Sequence, residues 1–171
     1  MEVEVEIEEP WPRGEWVDLS ERAANAVCQV APELANPRLS TSLLFTSDAE
    51  VLALNREWRE RDKPTNVLSF PMLERTDLLG LKPEGTPVLL GDVALAYETC
   101  AREAGEKAIP LDHHAAHLVI HGLLHLAGHD HELGPVQADA MEALEVKALA
   151  LIGVADPYEG RDQTQGQEQG T

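Results

Sequence analysis

Hydrophobic residues alternate with glutamate at the start of the chain, where Val3, Val5 and Ile7 are separated by acidic side chains. A period of two directs one face of a strand to the core and the other to water. Three later runs are rich in β-branched and apolar residues, which also favours strands. The four predicted strands are residues 2–7, 39–46, 66–70 and 88–96.

Elsewhere apolar residues recur at intervals of three and four, the period of a helix with one buried face. Asp18 with Glu21, and Ser47 with Glu50, have the spacing of a capping box, so each pair predicts a helix start. Residues 72–87 contain several glycines and prolines and are predicted to be a loop. The five predicted helices run from Asp18 to before Pro32, from Ser47 to before Pro64, and over residues 97–104, 111–127 and 135–152.

Strands dominate the first half of the chain and helices the second, with helices also between the early strands. This order is typical of an α+β fold with a four-stranded mixed sheet. With 171 residues, 43% of them hydrophobic, the chain suits one domain and not two, here residues 1–156. Residues 157–171 are polar and low in complexity, so we expect a disordered tail.

The formal net charge of -18 argues against broad coating of RNA, because phosphate binding depends on Lys and Arg. A short basic segment with Arg56, Arg59, Arg61 and Lys63 nevertheless leaves room for a local phosphate site. No run approaches the ~20 apolar residues that cross a bilayer, and the acidic start is unlike a signal peptide. The two cysteines lie far apart and are expected to be free thiols. We therefore expect a cytoplasmic protein.

All seven histidines lie within residues 113–131. Residues four apart share a helix face, so either His117 with His121 or His121 with His125 can bind one metal ion. The three cannot do so together, because a rise of about 1.5 Å per residue separates the outer two by roughly 12 Å. Gly128 favours a turn directly after His125, and that turn carries further histidines. The predicted pair is His121 and His125.

The turn after Gly128 reads His129, Asp130, His131. A third nitrogen ligand from it would complete a three-histidine site with an open position for water, at the end of the long central helix. Asp130 is expected either to orient a ligating imidazole or to cap the turn. His113 and His114, at the other end of the helix, are expected to face solvent.

The string HGLLHLAGHDH has the ligand spacing of the metzincin protease motif HExxHxxGxxH. Gly122 stands where the protease has its glutamate. That glutamate is the general base of peptide hydrolysis, so its absence argues against this reaction.

The same string resembles the HGxLHLxGxDH signature of the YbeY family of metal-dependent endoribonucleases, which act in ribosomal RNA maturation and ribosome quality control. Residues 54–71, LNREWRERDKPTNVLSFP, resemble that family's LNxxxRxxDxPTDVLSFP segment. Residues 91–93 resemble its GDI sequence. Position 129 is His where the family commonly has an aromatic residue.

The resemblance implies that His121, His125 and His131 bind one zinc ion, other divalent ions being alternatives, and that Arg59 is the required catalytic residue. It implies a single-strand-specific endoribonuclease that matures the 3′ end of 16S ribosomal RNA, with the ribosome or ribosomal proteins as further partners. A guanidinium can hold a phosphate by two parallel hydrogen bonds. The other interpretation of Arg59 is a surface residue paired with a neighbouring carboxylate.

Two other hypotheses stay open. The first is a metallohydrolase acting on peptides or small molecules, against which the glycine at position 122 argues. The second is a non-catalytic, ribosome-associated metal-binding module, with which the strong negative charge is compatible. A site with three protein ligands argues against it, because structural zinc usually has four.

Overall fold

The elements predicted from the hydrophobic pattern recur in a computed structural model that describes residues 1–60, 65–129 and 134–159. Within these ranges the chain forms an α+β fold, which confirms the predicted class. The strands are β1 (Glu2–Ile7), β2 (Leu39–Thr46), β3 (Val67–Pro71) and β4 (Val88–Ala96). The α-helices are α1 (Trp16–Val30), α2 (Asp48–Arg59), α3 (Arg75–Leu79), α4 (Tyr97–Lys107), α5 (Leu111–Leu126) and α6 (Pro135–Leu151).

The sheet is mixed, as predicted, and its strand order is β1-β2-β4-β3. β1, β2 and β4 are parallel, whereas β3 pairs with β4 in the antiparallel direction. Gly91 lies where the pairing of β2 with β4 shifts its register, at a φ of 151°. A Cβ added there would lie 2.8 Å from the Leu126 side chain and closer still to the Phe70 carbonyl. Only glycine therefore lets the end of α5 approach the sheet here.

The two faces of the sheet are covered differently. α1 and α5 pack on one face, with α6 packed against these two helices, and together they form the main core. α2 covers the other face over a small cluster that includes Val51 and Leu68. α5 is the centre of the main core, with Val119, Ile120 and Leu123 fully buried. Burial of each such side chain stabilises the fold by about 1.5–3 kcal/mol. The apolar face of α5 thereby fixes the orientation of its histidines.

The two predicted capping boxes had different outcomes. Ser47 caps α2, since its Oγ accepts a hydrogen bond from the Glu50 N–H at 3.1 Å. The Asp18 cap is wrong, because α1 begins two residues earlier. Trp16 is buried in the core edge-on to Trp11, and this burial draws the chain into the helix before the predicted cap. Asp18 instead forms an ion pair with Arg22 one turn along α1.

The segment predicted as a loop, residues 72–87, contains the short helix α3. Leu78 of α3 is 3% exposed, so a single apolar anchor fixes one helical turn among the glycines and prolines. Residues 157–159, which we assigned to the tail, form a turn beside α6, and residues 160–171 lie outside the described ranges.

The remaining structural expectations concern membranes and thiols. Among the described residues no helix is long and apolar enough to cross a membrane. Both cysteines are free thiols, as predicted. Burial raises the pKa of Cys28 and of Cys100, so both are protonated and unreactive near neutral pH.

Candidate metal centre

Four histidines follow one another along α5 at spacings of three or four residues. The ring centroids of His121 and His125 are 4.9 Å apart, against 6.4 Å for His117 and His121 and 6.3 Å for His114 and His117. His121 and His125 are half-buried and lie in the last two turns of α5. The structure thus brings together the pair that the sequence singled out.

The turn after α5 depends on glycine, as predicted. Gly128 has a φ of 95°, and its N–H donates to the carbonyl of His125 at 2.9 Å. The N–H of His129 donates to the carbonyl of Leu124 at 3.0 Å, so the chain folds back over the helix end. Asp130 and His131 lie outside the described residues, and their assigned roles stay predictions.

His129 has a carboxylate partner of its own. Its Nε2 lies 3.0 Å from Oε2 of Glu33, in the 3₁₀ turn after α1, and Arg75 approaches the same oxygen at 3.1 Å. Burial acts to raise the pKa of Glu33, but hydrogen bonds from a backbone N–H, His129 and Arg75 bring it below the ordinary value. Glu33 is therefore ionised and directs the ring of His129 through Nε2.

Glu145 of α6 is the residue that sequence reasoning missed. Its side chain is 1% exposed, and its Oε2 lies 2.6 Å from Nδ1 of His121. Its Oε1 lies 2.8 Å from Nε2 of His117 and accepts a hydrogen bond from the hydroxyl of Tyr158. Burial opposes ionisation, yet the hydrogen bonds from His117 and His121 hold the pKa of Glu145 well below its usual range. A buried carboxylate thus touches the candidate site.

A sequence signal for Glu145 did exist. Glu145 lies four residues after Met141 and four before Leu149, both fully buried, so a carboxylate stands on the apolar face of α6. A buried carboxylate requires hydrogen-bonding partners, and α5 offers a row of imidazoles. The missing information was that α5 and α6 pack against each other at this level.

His114 and His117, in the first half of α5, are structural. The prediction that His114 faces solvent is wrong, because its side chain is 1% exposed and its Nε2 lies 2.8 Å from Oε1 of Glu103, on the neighbouring helix α4. Burial lowers the pKa of His117, and its Nδ1 finds no partner among the described residues. His117 is therefore neutral, with its proton on Nε2 toward Glu145. His113 is half-buried.

Gly122, which replaces the protease glutamate, faces the sheet. A Cβ at this position would lie 2.7 Å from a methyl group of Val93 in β4 and 3.4 Å from Oγ of Ser69. Ser69 in β3 donates a hydrogen bond to the Gly122 carbonyl at 3.3 Å. A side chain at position 122 would displace α5 from the sheet, so this fold has no space for the protease base here.

Arg59 is the last residue of α2, on the face of the sheet opposite to α5, and its side chain is exposed. It forms no hydrogen bond or ion pair with another described residue, so the alternative pairing with Glu57 is not present. Asp62, Arg61 and Lys63 lie outside the described ranges. The structure therefore leaves the guanidinium available but does not join it to the histidines.

The histidine pair is chemically suited to a metal ion. Because Nδ1 of His121 faces a carboxylate, it carries the proton, and the lone pair is on Nε2, the form in which imidazole binds metals. Within the described residues no three His, Cys, Asp or Glu side chains form a metal-binding group. The pair supplies two nitrogen donors, and the predicted third, His131, lies beyond those ranges.

Comparisons with known proteins agree with this architecture. The solution structure of a Thermotoga maritima protein has the same fold, with a TM-score of 0.57 at 21% identity, covering 98% of this chain and 96% of that one. The Endoribonuclease YbeY of Erythrobacter litoralis is 64% identical over 161 residues, which are 94% of this chain and 99% of that protein.

The relationship extends over nearly the whole sequence. The Endoribonuclease YbeY of Novosphingobium aromaticivorans is 54% identical over 162 residues, covering 94% of this chain and 97% of that protein. The family described as Endoribonuclease YbeY matches residues 8–153. The resemblance found in the sequence motifs is thus confirmed, and this chain belongs to the endoribonuclease YbeY family.

Proposed function

We propose that this protein is a single-strand-specific, zinc-dependent endoribonuclease of the cytoplasm that processes ribosomal RNA, including the 3′ end of 16S RNA. Ribosomal RNA is the substrate, and the ribosome or its proteins are the partners. The family supports RNA hydrolysis over the two other hypotheses. The observation that carries the proposal is the half-buried pair His121 and His125, with rings 4.9 Å apart at the end of α5.

The proposed ligands are His121, His125 and His131. His121 offers Nε2 because Nδ1 is bonded to Glu145, and His125 lies one turn further along the same face. His129 is the less suitable third ligand, because its Nε2 is bonded to Glu33. When bound, the ion supplies Lewis-acid activation of water and neutralises charge on the phosphate. Three imidazoles also accept other divalent ions, so zinc is the first choice and not the only one.

Arg59 is proposed to hold the phosphodiester. Its guanidinium is exposed in the last turn of α2, with Arg56 one turn earlier. A planar guanidinium can donate two parallel hydrogen bonds to phosphate oxygens and stabilise the negative charge that develops during cleavage. A short arginine segment suits a chain whose net charge is -18, because it attracts a few phosphates of a single strand without a wide basic surface.

The proposal is tested by RNA cleavage with the purified full-length protein, stripped of metal and then reloaded with zinc, on single-stranded and duplex RNA. Arg59→Ala is expected to keep the metal and the fold while losing about 10²- to 10³-fold in cleavage rate. Arg59→Lys should fall between the two, because a point charge attracts phosphate without the two-pronged hydrogen bond. Arg22→Ala, which removes an exposed arginine of α1, is the matched control.

Each arm of the experiment can remove a different part of the proposal. Full activity of the metal-stripped protein would show that the metal is not required. Wild-type rates for Arg59→Ala would show that the arginine is not required. A metal-loaded protein that leaves every RNA intact would contradict the proposed endoribonuclease activity. Equal rates on single-stranded and duplex RNA would remove the strand preference.

A further inference from the structure

Three side chains converge on one buried carboxylate, Glu145, which is not itself a proposed metal ligand. Glu145 is 1% exposed and accepts hydrogen bonds from His121, His117 and Tyr158. A charge at this depth is costly unless every lone pair is satisfied. Among the residues that the structure describes, Oε2 accepts a hydrogen bond from His121, and Oε1 accepts hydrogen bonds from His117 and Tyr158.

The ring nitrogen that faces the carboxylate determines what His121 can do. A hydrogen bond from Nδ1 to Oε2 at 2.6 Å holds the tautomer with the lone pair on Nε2 and restricts rotation of the ring. Because His117 and Tyr158 both bind Oε1, the carboxylate cannot turn away from His121 without losing two hydrogen bonds.

Tyr158 reaches this site because the chain reverses after α6. Gly153 has a φ of 77°, and the N–H of Val154 donates to the carbonyl of Leu149 at 2.9 Å, which turns the chain back along the helix. The side chain of Asp156 then accepts a hydrogen bond from the N–H of Tyr158 at 2.7 Å. The turn fixes the hydroxyl beside Glu145.

We propose that Glu145, held in place by Tyr158 and His117, is a positioning residue that fixes His121 for metal binding, so that the turn after α6 belongs to the metal centre. This inference rests on the proposed function, since it assigns a purpose to the orientation of a proposed ligand. It gives Glu145 the role that the sequence had suggested for Asp130.

The test compares zinc affinity in folded, full-length variants by competition with a chromogenic chelator. Glu145→Gln removes the charge and replaces one accepting oxygen by an NH2 donor at nearly equal size, and it should weaken zinc binding by about 10- to 100-fold. Tyr158→Phe should weaken it less, by a few-fold, because it frees the carboxylate without removing it. Glu103→Gln is the matched control, because Glu103 binds another histidine of α5, away from the pair, and should leave zinc affinity unchanged.

A second measurement needs no variant. Nitrogen-15 NMR of the metal-free wild type should show His121 with its proton on Nδ1, and an Nε2–H tautomer would overturn the inference. Zinc affinity unchanged in Glu145→Gln and Tyr158→Phe, with only lower melting temperatures, would assign a purely structural role to the cluster. A wild-type protein that binds no zinc would contradict the proposed metal centre. Equal zinc affinity in the wild type and the variants would contradict only the positioning role of Glu145.

A different observation concerns the last turn of α2. Trp58 is 66% exposed, whereas Trp11 and Trp16 are each 6% exposed in the aromatic cluster of the main core. An indole exposed to this extent forgoes the stabilisation that burial gives. It lies next to Arg59 and one half-turn from Arg56 in the same exposed helix end.

We infer that Trp58 is a stacking site for a nucleobase of the RNA strand whose phosphate Arg59 holds, which rests on the proposed function. Every base has a π face, so stacking on an indole binds a single strand with little sequence preference. The stacking surface requires an unpaired base, which accords with the proposed preference for single strands. Adjacent arginines favour RNA over an apolar protein partner at this position.

The position of the three tryptophans makes this inference directly measurable. Addition of a single-stranded oligoribonucleotide to the metal-free protein should quench the exposed Trp58, and Trp58→Phe should abolish most of that quenching because only buried indoles remain. Trp58→Ala should weaken RNA binding by about 5- to 150-fold in a gel-shift assay. Val17→Ala, an exposed apolar position on α1, should bind as the wild type does.

The outcomes separate this inference from the activity. RNA that binds the wild type and Trp58→Ala equally would overturn the stacking site and leave the endoribonuclease proposal intact. Self-association of the RNA-free protein that is lost in Trp58→Ala would assign the indole to a second copy of the chain instead.

Discussion

The two ends of α5 carry the same residue type at the same helical spacing in different environments. Near its start, the side chains of His114 and His117 are 1% and 10% exposed, and each binds a carboxylate through Nε2. Near its end, His121 is 19% exposed and binds its carboxylate through Nδ1, with His125 beside it at 4.9 Å.

The two groups are separated by which ring nitrogen is bonded, and not by the presence of a carboxylate. A histidine whose Nε2 faces a carboxylate has its outer nitrogen occupied and serves the fold. A histidine whose Nδ1 faces the carboxylate presents Nε2, the nitrogen at the tip of the ring, to a ligand. Glu145 serves both kinds at once, because it binds His117 through Nε2 and His121 through Nδ1.

The largest expected effect is that of His125→Ala at the site end. Loss of one of three proposed ligands should remove most of the zinc and lower RNA cleavage by more than about 10³-fold, beyond the effect of an electrostatic stabiliser. The metal-free fold should remain, because His125 is only half-buried. Metal content by atomic absorption, cleavage rate and the melting curve of the stripped protein measure the three effects. Retained zinc with full activity would show that His125 is not a metal ligand.

Sequence reasoning found the strands, most helix limits and the histidine pair for a physical reason. Period, capping residues and glycine turns are local, and Ser47 and Gly128 act within a few residues of where they stand. The Asp18 cap failed because burial of Trp16 against Trp11 is a tertiary effect that outweighs a cap. Local signals thus predict elements well and their tertiary partners poorly.

The candidate site shows the same limit. The spacing of His121 and His125 was sufficient to predict that they share a face, because one helix determines it. The prediction that His114 is exposed was wrong, and Glu145 was not predicted at all. Both partners, Glu103 and Glu145, come from other helices. Which ring nitrogen of a histidine is bonded depends on such partners. The residues next to that histidine in the sequence therefore cannot predict it.

The next effect in size belongs to the structural end. His114→Ala should lower the free energy of unfolding by about 2–4 kcal/mol, because it leaves a cavity and removes a hydrogen bond to a carboxylate. Zinc affinity and the cleavage rate per folded molecule should stay at wild-type values, since His114 is two turns from His121. Urea denaturation and a titration of active sites separate the two properties. A loss of activity without a loss of stability would place His114 in the site.

A smaller effect is expected for Gly122→Ala, on the face of α5 that packs against the sheet. The added methyl group meets Val93 at 2.7 Å, so α5 must shift from β4 at a cost of about 1–3 kcal/mol. The shift acts at the site end, and zinc affinity should fall together with stability. Gly105→Ala is the matched control, because a Cβ there has no neighbour within 4 Å. Equal stability of the two variants would show that the helix tolerates displacement.

The smallest effect is a pH dependence at the structural end, through Glu103. Burial acts to raise the pKa of this carboxyl, but hydrogen bonds from His114 and Asn66, with the charges of His114 and Lys107, bring it below its ordinary 4.5. A lowered pKa in the folded state stabilises the protein above the pKa of the unfolded chain, and this contribution is lost as the pH falls through the folded value.

Wild type and Glu103→Gln should therefore differ most in stability at pH values above 4.5, and the difference should shrink as the pH is lowered beneath it. Glu33 and Glu145 also have lowered pKa values, but both proteins contain them. Their contributions therefore cancel when the stability of the variant is subtracted from that of the wild type. Salt should reduce the effect, because the Glu103 side chain is 25% exposed and its charge interactions are partly screened. Chemical denaturation at matched ionic strength from pH 3 to 7 measures this difference. A difference that grows toward acid pH would mean that His114 stabilises the protonated form of Glu103, and the hydrogen bond from His114 to an ionised Glu103 would have to be withdrawn.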